Sequence, residues 1–208
     1  MRIKKLCSRV WIKVYYTFWN IINRISLNVN CVQIDKNVRI NGGVRISSST
    51  FGKIRIGKGT TINSCWYSNK AGGGQKKTSL IAEGGEISIG KNVGISNSTI
   101  YSRKNIIIED NVMVGVNCVI YDTDFHSIYI EDRLNENINI IDKPVRIKSG
   151  AWIGGHSIIL KGVTIGKNSV IGAGSIVTHD IPDNEVWAGN PAKYMPAFAK
   201  ERYRNKRV

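Results

Sequence analysis

Residues 147–177 read IKSGAWIGGHSIILKGVTIGKNSVIGAGSIV, and an aliphatic side chain returns at every sixth position: Ile147, Ile153, Ile159, Ile165, Ile171 and Val177. Four places after each of the first five stands a small or β-branched residue: Ala151, Ser157, Val163, Ser169 and Ser175. A period of six matches neither the 3.6-residue turn of a helix nor the two-residue alternation of a strand. It matches a solenoid whose short flat faces each place one apolar side chain inward at the same height.

The same beat runs upstream through Ile34, Ile40 and Ile46, through Ile56 and Ile62, through Ile89 and Ile95, and through Ile108, Val114 and Ile120. Glycine often follows the inward residue, as at Gly57, Gly90, Gly115, Gly154, Gly166 and Gly172. A corner between flat faces needs backbone angles that a side chain obstructs. Asn92, Asn111 and Asn168 suit corners because asparagine tolerates the left-handed region. No linker-like change of composition divides the 208 residues, so the repeat reads as one elongated β-helix domain with a thin continuous core. Cys7, Cys31, Cys65 and Cys118 have no metal-like or paired spacing, which fits a reduced, cytosolic chain, and Cys118 falls on the small-residue beat as filler.

Two stretches break the rhythm. Ser68 to Leu80 is rich in glycine and lysine and reads as a surface loop. The longer one, Asp122 to Pro144, opens DTDFHSI. Insertions in repeat proteins form loops, often on the working face, so this excursion carries most of the functional weight.

The formal net charge of +15 gathers at the ends. Residues 1–30 hold six Lys and Arg and no acid, residues 191–208 hold six against Glu201, and the span between holds eighteen basic against fourteen acidic side chains. A nearly balanced middle argues against a nucleic-acid surface built into the solenoid. At the N-terminus, Ile3, Cys7, Val10, Val14, Phe18, Ile21 and Ile25 fall at helical spacing among Lys4, Lys5, Arg9, Lys13, Trp11 and Trp19. Such a helix can lie in an anionic membrane surface through residues 1–26, or it can cap the open end of the solenoid. Its longest uncharged run, Val14 to Asn23, falls short of the ~20 residues a span needs, and no small-residue cleavage site follows. The expected division is a basic amphipathic helix over 1–30, a β-helix over 31–190 and a basic tail over 191–208.

The run WIGGHSIILKGVTIGKNSVIGAGSIVTHDIPDNEVWAGNPAKYM (Trp152 to Met195) resembles the C-terminal signature of hexapeptide-repeat acyltransferases. NVMVGVNCVIYDTDFHSI (Asn111 to Ile128) is similar to the branch containing sugar acetyltransferases and the O-acetyltransferases of bacterial surface polysaccharides. The resemblance covers residues 87 to 195 well and the repeat back to Ile34 more loosely. It implies a left-handed parallel β-helix, a homotrimer with active sites between subunits, acetyl-CoA as donor and a saccharide acceptor.

O-acetyl transfer needs a base for the attacking hydroxyl and donors for the developing oxyanion. Of the three histidines, His126 lies in the excursion and matches the family's catalytic histidine. An imidazole with an ordinary pKa near ~6.5 is mostly free base at neutral pH yet can hold a transferred proton. Asp122 and Asp124 stand within four residues and are candidates to fix its tautomer; in the alternative reading they form turns where the coil exits. His156 follows a glycine pair within a regular coil, and His179 stands where the family commonly shows lysine, which removes one expected phosphate contact. For the donor, Gly155, Ala173 and Gly174 are small where a pantetheine arm must approach the backbone, and Trp152 can wall the groove. Thr178 and Lys193 match family positions near the adenosine end, and Asn97 aligns near an acceptor-binding asparagine, with Ser96 competing for that place. No metal ligand set is expected.

These residues predict an acetyl-CoA-dependent O-acetyltransferase in polysaccharide assembly, cytoplasmic or peripheral on the inner membrane face. No cysteine or serine sits in a nucleophile context, so transfer is expected to be direct. Amino-sugar N-acetylation or small-molecule acetylation would use the same fold, and a β-helix scaffold would use none of this chemistry. A zinc hydratase would need all three histidines to converge. A nucleotidyltransferase is disfavoured because no βαβ region precedes the coils.

Overall fold

A computed structural model describes residues 2–72 and 76–198, and it is a parallel β-helix entered through one long helix, α1 (Arg2–Val29). Short strands follow one another around three faces. The first face stacks Gln33–Ile34, Lys53–Ile56, Glu86–Ile89, Asn105–Ile108, Val145–Ile147 and Thr164–Ile165. The second stacks Arg39–Asn41, Thr61–Asn63, Gly94–Ser96, Met113–Val116, Trp152–Ile153, Val170–Ile171, Val186–Ala188 and Lys193–Tyr194. The third stacks Arg45–Ser48, Ser79–Ala82, Thr99–Ser102, Val119–Tyr121, Ile158–Ile159 and Ile176–Val177.

Three strands, each making about six residues with its corner, complete one turn, so the six-residue beat becomes three internal columns. Ile56, Ile89, Ile108, Ile147 and Ile165 align on the first face. Ile62, Ile95, Val114, Ile153 and Ile171 align on the second. Leu80, Ile100, Ile120, Ile159 and Val177 align on the third. All of these are buried and form one continuous core. Each such side chain contributes about 1.5–3 kcal/mol relative to exposure, and Cys118, Ser157, Ser169 and Ser175 fill the corners between columns.

The corners explain the glycines and asparagines. Asn92, Asn111 and Asn168 take φ of +55°, +59° and +56°, as their residue type predicts. The Asn92 amide donates to Asn111 Oδ1 at 3.3 Å, so the corner also carries a side-chain ladder. At Gly154 the constraint is closeness: a Cβ would stand 2.5 Å from the Ala173 nitrogen of the next coil.

Two boundaries differ from expectation, and the direction of α1 is decided. Thr78, Ser79 and Leu80, read as loop, are buried, and Ser79 begins a third-face strand. Residues 191–195, read as tail, fold back: Lys193–Tyr194 pairs antiparallel with Trp187–Ala188, and residues 199–208 of the expected basic tail lie outside the described residues. The apolar stripe of α1 does not face the core. The helix seats itself through a buried polar residue, Asn23, which donates to Gly42 O at 2.8 Å and accepts from Val44 N at 3.1 Å. Trp19 lies over Gly43, and Leu27 packs against the core. Val10, Val14, Phe18, Ile21 and Ile25 point outward and are exposed.

Candidate active site

The excursion leaves the third face after Tyr121 and returns to the first at Val145. Its two arms close on each other at the base. Lys143 N donates to Asp122 O at 2.8 Å, and Asp124 N donates to Ile141 O at 3.2 Å. Within the loop, a short helix α2 (Ile130–Leu134) is tied back by Ser127, whose hydroxyl donates to Asp132 Oδ2 at 2.6 Å. The Arg133 guanidinium donates to Ser127 O at 2.8 Å.

The loop is also pinned to the outside of the third face. Phe125, at φ +63°, places its ring 4.8 Å from that of Tyr101 and 4.9 Å from that of Tyr121. Asn137 holds the Phe125 carbonyl at 2.9 Å. The Tyr101 hydroxyl donates to Glu83; burial and that hydrogen bond push its phenol up to about 12, so it stays neutral. His126 follows directly, exposed, and among the described residues no hydrogen bond or ion pair engages its ring.

Neither aspartate touches its ring. Asp122 is fully buried and its carboxylate is spent on the corner of the preceding coil. It accepts from Ser102 Oγ at 2.6 Å, Arg103 N at 2.7 Å and Lys104 N at 2.9 Å. A carboxylate with three donors in the wall is a structural clamp, which corrects the expectation that it fixes a tautomer. Asp124 pairs instead with Lys161 Nζ at 2.7 Å, on the next coil. Lys161 has no signal in the local sequence, since the contact crosses the excursion.

The donor-side residues divide into groups. Gly155, Ala173 and Gly174 occupy successive corners between the second and third faces. Gly174 N donates to Gly155 O at 2.9 Å, so that carbonyl is used internally. Gly174, at φ +72°, has nothing within 4 Å of where a Cβ would stand, which leaves an open backbone surface. Trp152, on the outside of the second face, is exposed beside that corner. Lys193 is exposed two strands beyond Val170–Ile171, paired with Ala188. Thr178 lies past the far end of the strand Ile176–Val177, where its hydroxyl meets His179 Nδ1 at 2.7 Å.

The corner column also holds His156 at φ +63°, and below it Asn117 and Asn97 at +57° and +47°. Asn97 is a correction. It is buried beside the segment at Lys76, donates to Lys76 O at 2.6 Å, and among the described residues its buried Oδ1 has no hydrogen-bond partner, so it is not on an open acceptor surface. Cys118 donates to Gly154 O at 3.2 Å, and burial pushes its thiol up, away from nucleophilic use. Among the described residues no three His, Cys, Asp or Glu side chains gather in a metal-like cluster.

Residues 144–179 match the bacterial transferase hexapeptide family (six repeats), and residues 105–133 match the hexapeptide repeat of succinyl-transferase. The chain is similar to the galactoside O-acetyltransferase of Escherichia coli (strain K12), 44% identical over 113 residues covering 54% of each chain. It is also similar to the galactoside O-acetyltransferase of Lactococcus lactis subsp. lactis, 44% identical over 95 residues, covering 46% of this chain and 44% of that one. The chain thus spans about half the length of the curated relatives it matches.

Among solved structures, the polySia specific acetyltransferase NeuO superposes with a TM-score of 0.56 at 26% identity, covering 78% of this chain and 74% of that one. A hexapeptide-repeat acetyltransferase from Vibrio cholerae O1 biovar eltor, solved with acetyl coenzyme A, shares the fold at a TM-score of 0.56 and 24% identity, with 83% and 74% covered. The fold is the left-handed parallel β-helix expected from the repeat and its resemblance. With the six-residue columns, the corner geometry and these likenesses in agreement, the chain carries the hexapeptide repeat over residues 105–133 and 144–179 and is similar to the hexapeptide-repeat acyltransferases.

Proposed function

We propose that this protein is an acetyl-CoA-dependent O-acetyltransferase acting on a saccharide hydroxyl, with His126 as general base. The observation that carries the reading is an exposed imidazole without a partner among the described residues, borne on a loop that Phe125 pins to the solenoid wall. A base held this way is positioned without being consumed by the fold. His126 takes the hydroxyl proton as the sugar oxygen attacks the thioester carbonyl, and returns it to the departing thiolate. The named activity of the two galactoside O-acetyltransferases supports a sugar acceptor.

The donor substrate runs along the small-residue corner, where exposed Ala173 and Gly174 leave room for a pantetheine arm beside Trp152. Lys193 and Thr178 are the candidates for its adenosine end. A homotrimer completes the site, with a neighbouring copy supplying the other wall and an orienter for His126. Cytosolic placement follows from the donor, and a role in surface polysaccharide assembly follows from the acceptor class. Purified protein assayed for thiol release from acetyl-CoA with hydroxyl sugars and amino sugars tests the reading: turnover on the hydroxyl sugars alone supports it, and turnover on the amino sugars alone replaces it with N-acetylation.

A further inference from the structure

We infer that the outward face of α1 is a docking surface for an anionic lipid bilayer, on which the solenoid stands by its N-terminal end. An amphipathic helix normally buries its apolar stripe against the protein it belongs to. Here the solenoid takes the opposite side, through Asn23, Trp19 and Leu27, and the apolar stripe is left to solvent. Val10, Val14, Phe18, Ile21, Ile25 and Val29 are all more than half exposed, and at 3.6 residues per turn they fall within an arc of about 100°. Trp11, 63% exposed, stands at one edge of that arc.

Charge selects the occupant. The first 30 residues hold Arg2, Lys4, Lys5, Arg9, Lys13 and Arg24 and no acid. Lys13 and Arg24 flank the stripe on the side away from Trp11 and are exposed. An apolar stripe bordered by cations and an interfacial aromatic matches a bilayer surface carrying negative headgroups. A second copy of the same helix would bring like charges together with no acid to relieve them. Beside the stripe, a cavity of about 750 Å³ with a mixed polar and apolar lining, Arg24 and Asn28 included, lies between Ile21 and Ile25 and the first-coil residues Ile34, Val38 and Ile40. No described helix is long and apolar enough to cross a membrane, so α1 lies on the surface.

The position has a consequence for the proposed reaction, though docking stands without it. The excursion leaves the third face three rungs from the first third-face strand, roughly 14 Å at the spacing of paired strands. The width of α1, about 10 Å, adds to that separation, so an acceptor carried on the bilayer must reach the excursion across both.

The test is co-sedimentation of the full-length protein with vesicles of phosphatidylcholine alone and with about one-third phosphatidylglycerol, without acyl donor. Binding to the anionic vesicles, weakened by raising salt, is expected. The Phe18→Asp/Ile25→Asp variant should lose it, and Lys13→Glu/Arg24→Glu, which leaves the stripe intact, should weaken it roughly tenfold or more. Far-UV circular dichroism and thermal unfolding establish that each variant folds. Equal binding to both vesicle types, binding that survives both variants, or no binding by the parent chain overturns the proposal. A fall in oligomer mass in the stripe variant, without a change in lipid binding, overturns it in favour of a second copy.

Discussion

The ring of Phe125 stands 4.9 Å from that of Tyr121 and at 89° to it, an edge-on contact between the excursion and the wall it leaves. With the Tyr101 contact it makes a three-ring cluster, and such pairs are each worth about 0.5–1.5 kcal/mol beyond burial. Phe125→Ala should therefore lower stability by roughly 1–3 kcal/mol. If the cluster sets the height of His126, kcat should fall by roughly 100-fold with KM for acetyl-CoA little changed. Steady-state kinetics beside urea unfolding separates the two effects.

Asp122 carries a different signature. Its buried carboxylate accepts three hydrogen bonds, so Asp122→Asn, which turns an amide toward donors, should cost about 2–4 kcal/mol. The pH dependence of the remaining activity should keep its parent midpoint. A shifted midpoint with parent stability would restore the orienting role.

The Asp124–Lys161 pair, at 2.7 Å, ties the root of the excursion to the next coil. Both partners are partly exposed, so Lys161→Met should cost at most about 1 kcal/mol in thermal unfolding. Its effect on kcat should match that of Asp124→Asn, because each variant breaks the same tether. A loss confined to Asp124→Asn would mean that this carboxylate turns to His126 in the assembled enzyme.

Acid should weaken the coil at Glu109. Partial burial opposes its ionisation, but hydrogen bonds from Arg146 and Ser149 outweigh that and hold the carboxyl below its usual value of 4.5. A depressed folded value means the contribution is whole above pH 4.5 and is lost as pH falls through the lowered value. Glu109→Gln should therefore lose less stability than the parent between pH 5 and pH 3, measured by urea midpoints at each pH.

The columns were legible because each inward position is apolar and each corner is glycine, asparagine or small; Ile147 to Val177 alone specifies three faces. Asn92, Asn111 and Asn168 were legible for the same local reason. His126 stood out because it lies where the beat stops. The Asp122 clamp was not legible, since Ser102 and the Arg103 and Lys104 amides come from the coil before. Tyr101 and Tyr121 carried a readable clue, as outward aromatics one coil apart. The α1 stripe was seen, but its direction depends on Asn23 reaching Gly42 and Val44, a pairing across some twenty residues that helical spacing does not encode.

The most direct measurement is thiol release from acetyl-CoA by His126→Ala with the best hydroxyl-sugar acceptor, alongside CoA binding by calorimetry. Loss of the general base should lower kcat by about 10²–10⁴-fold while CoA affinity holds. Turnover at the parent rate by a chain without that imidazole would contradict the account.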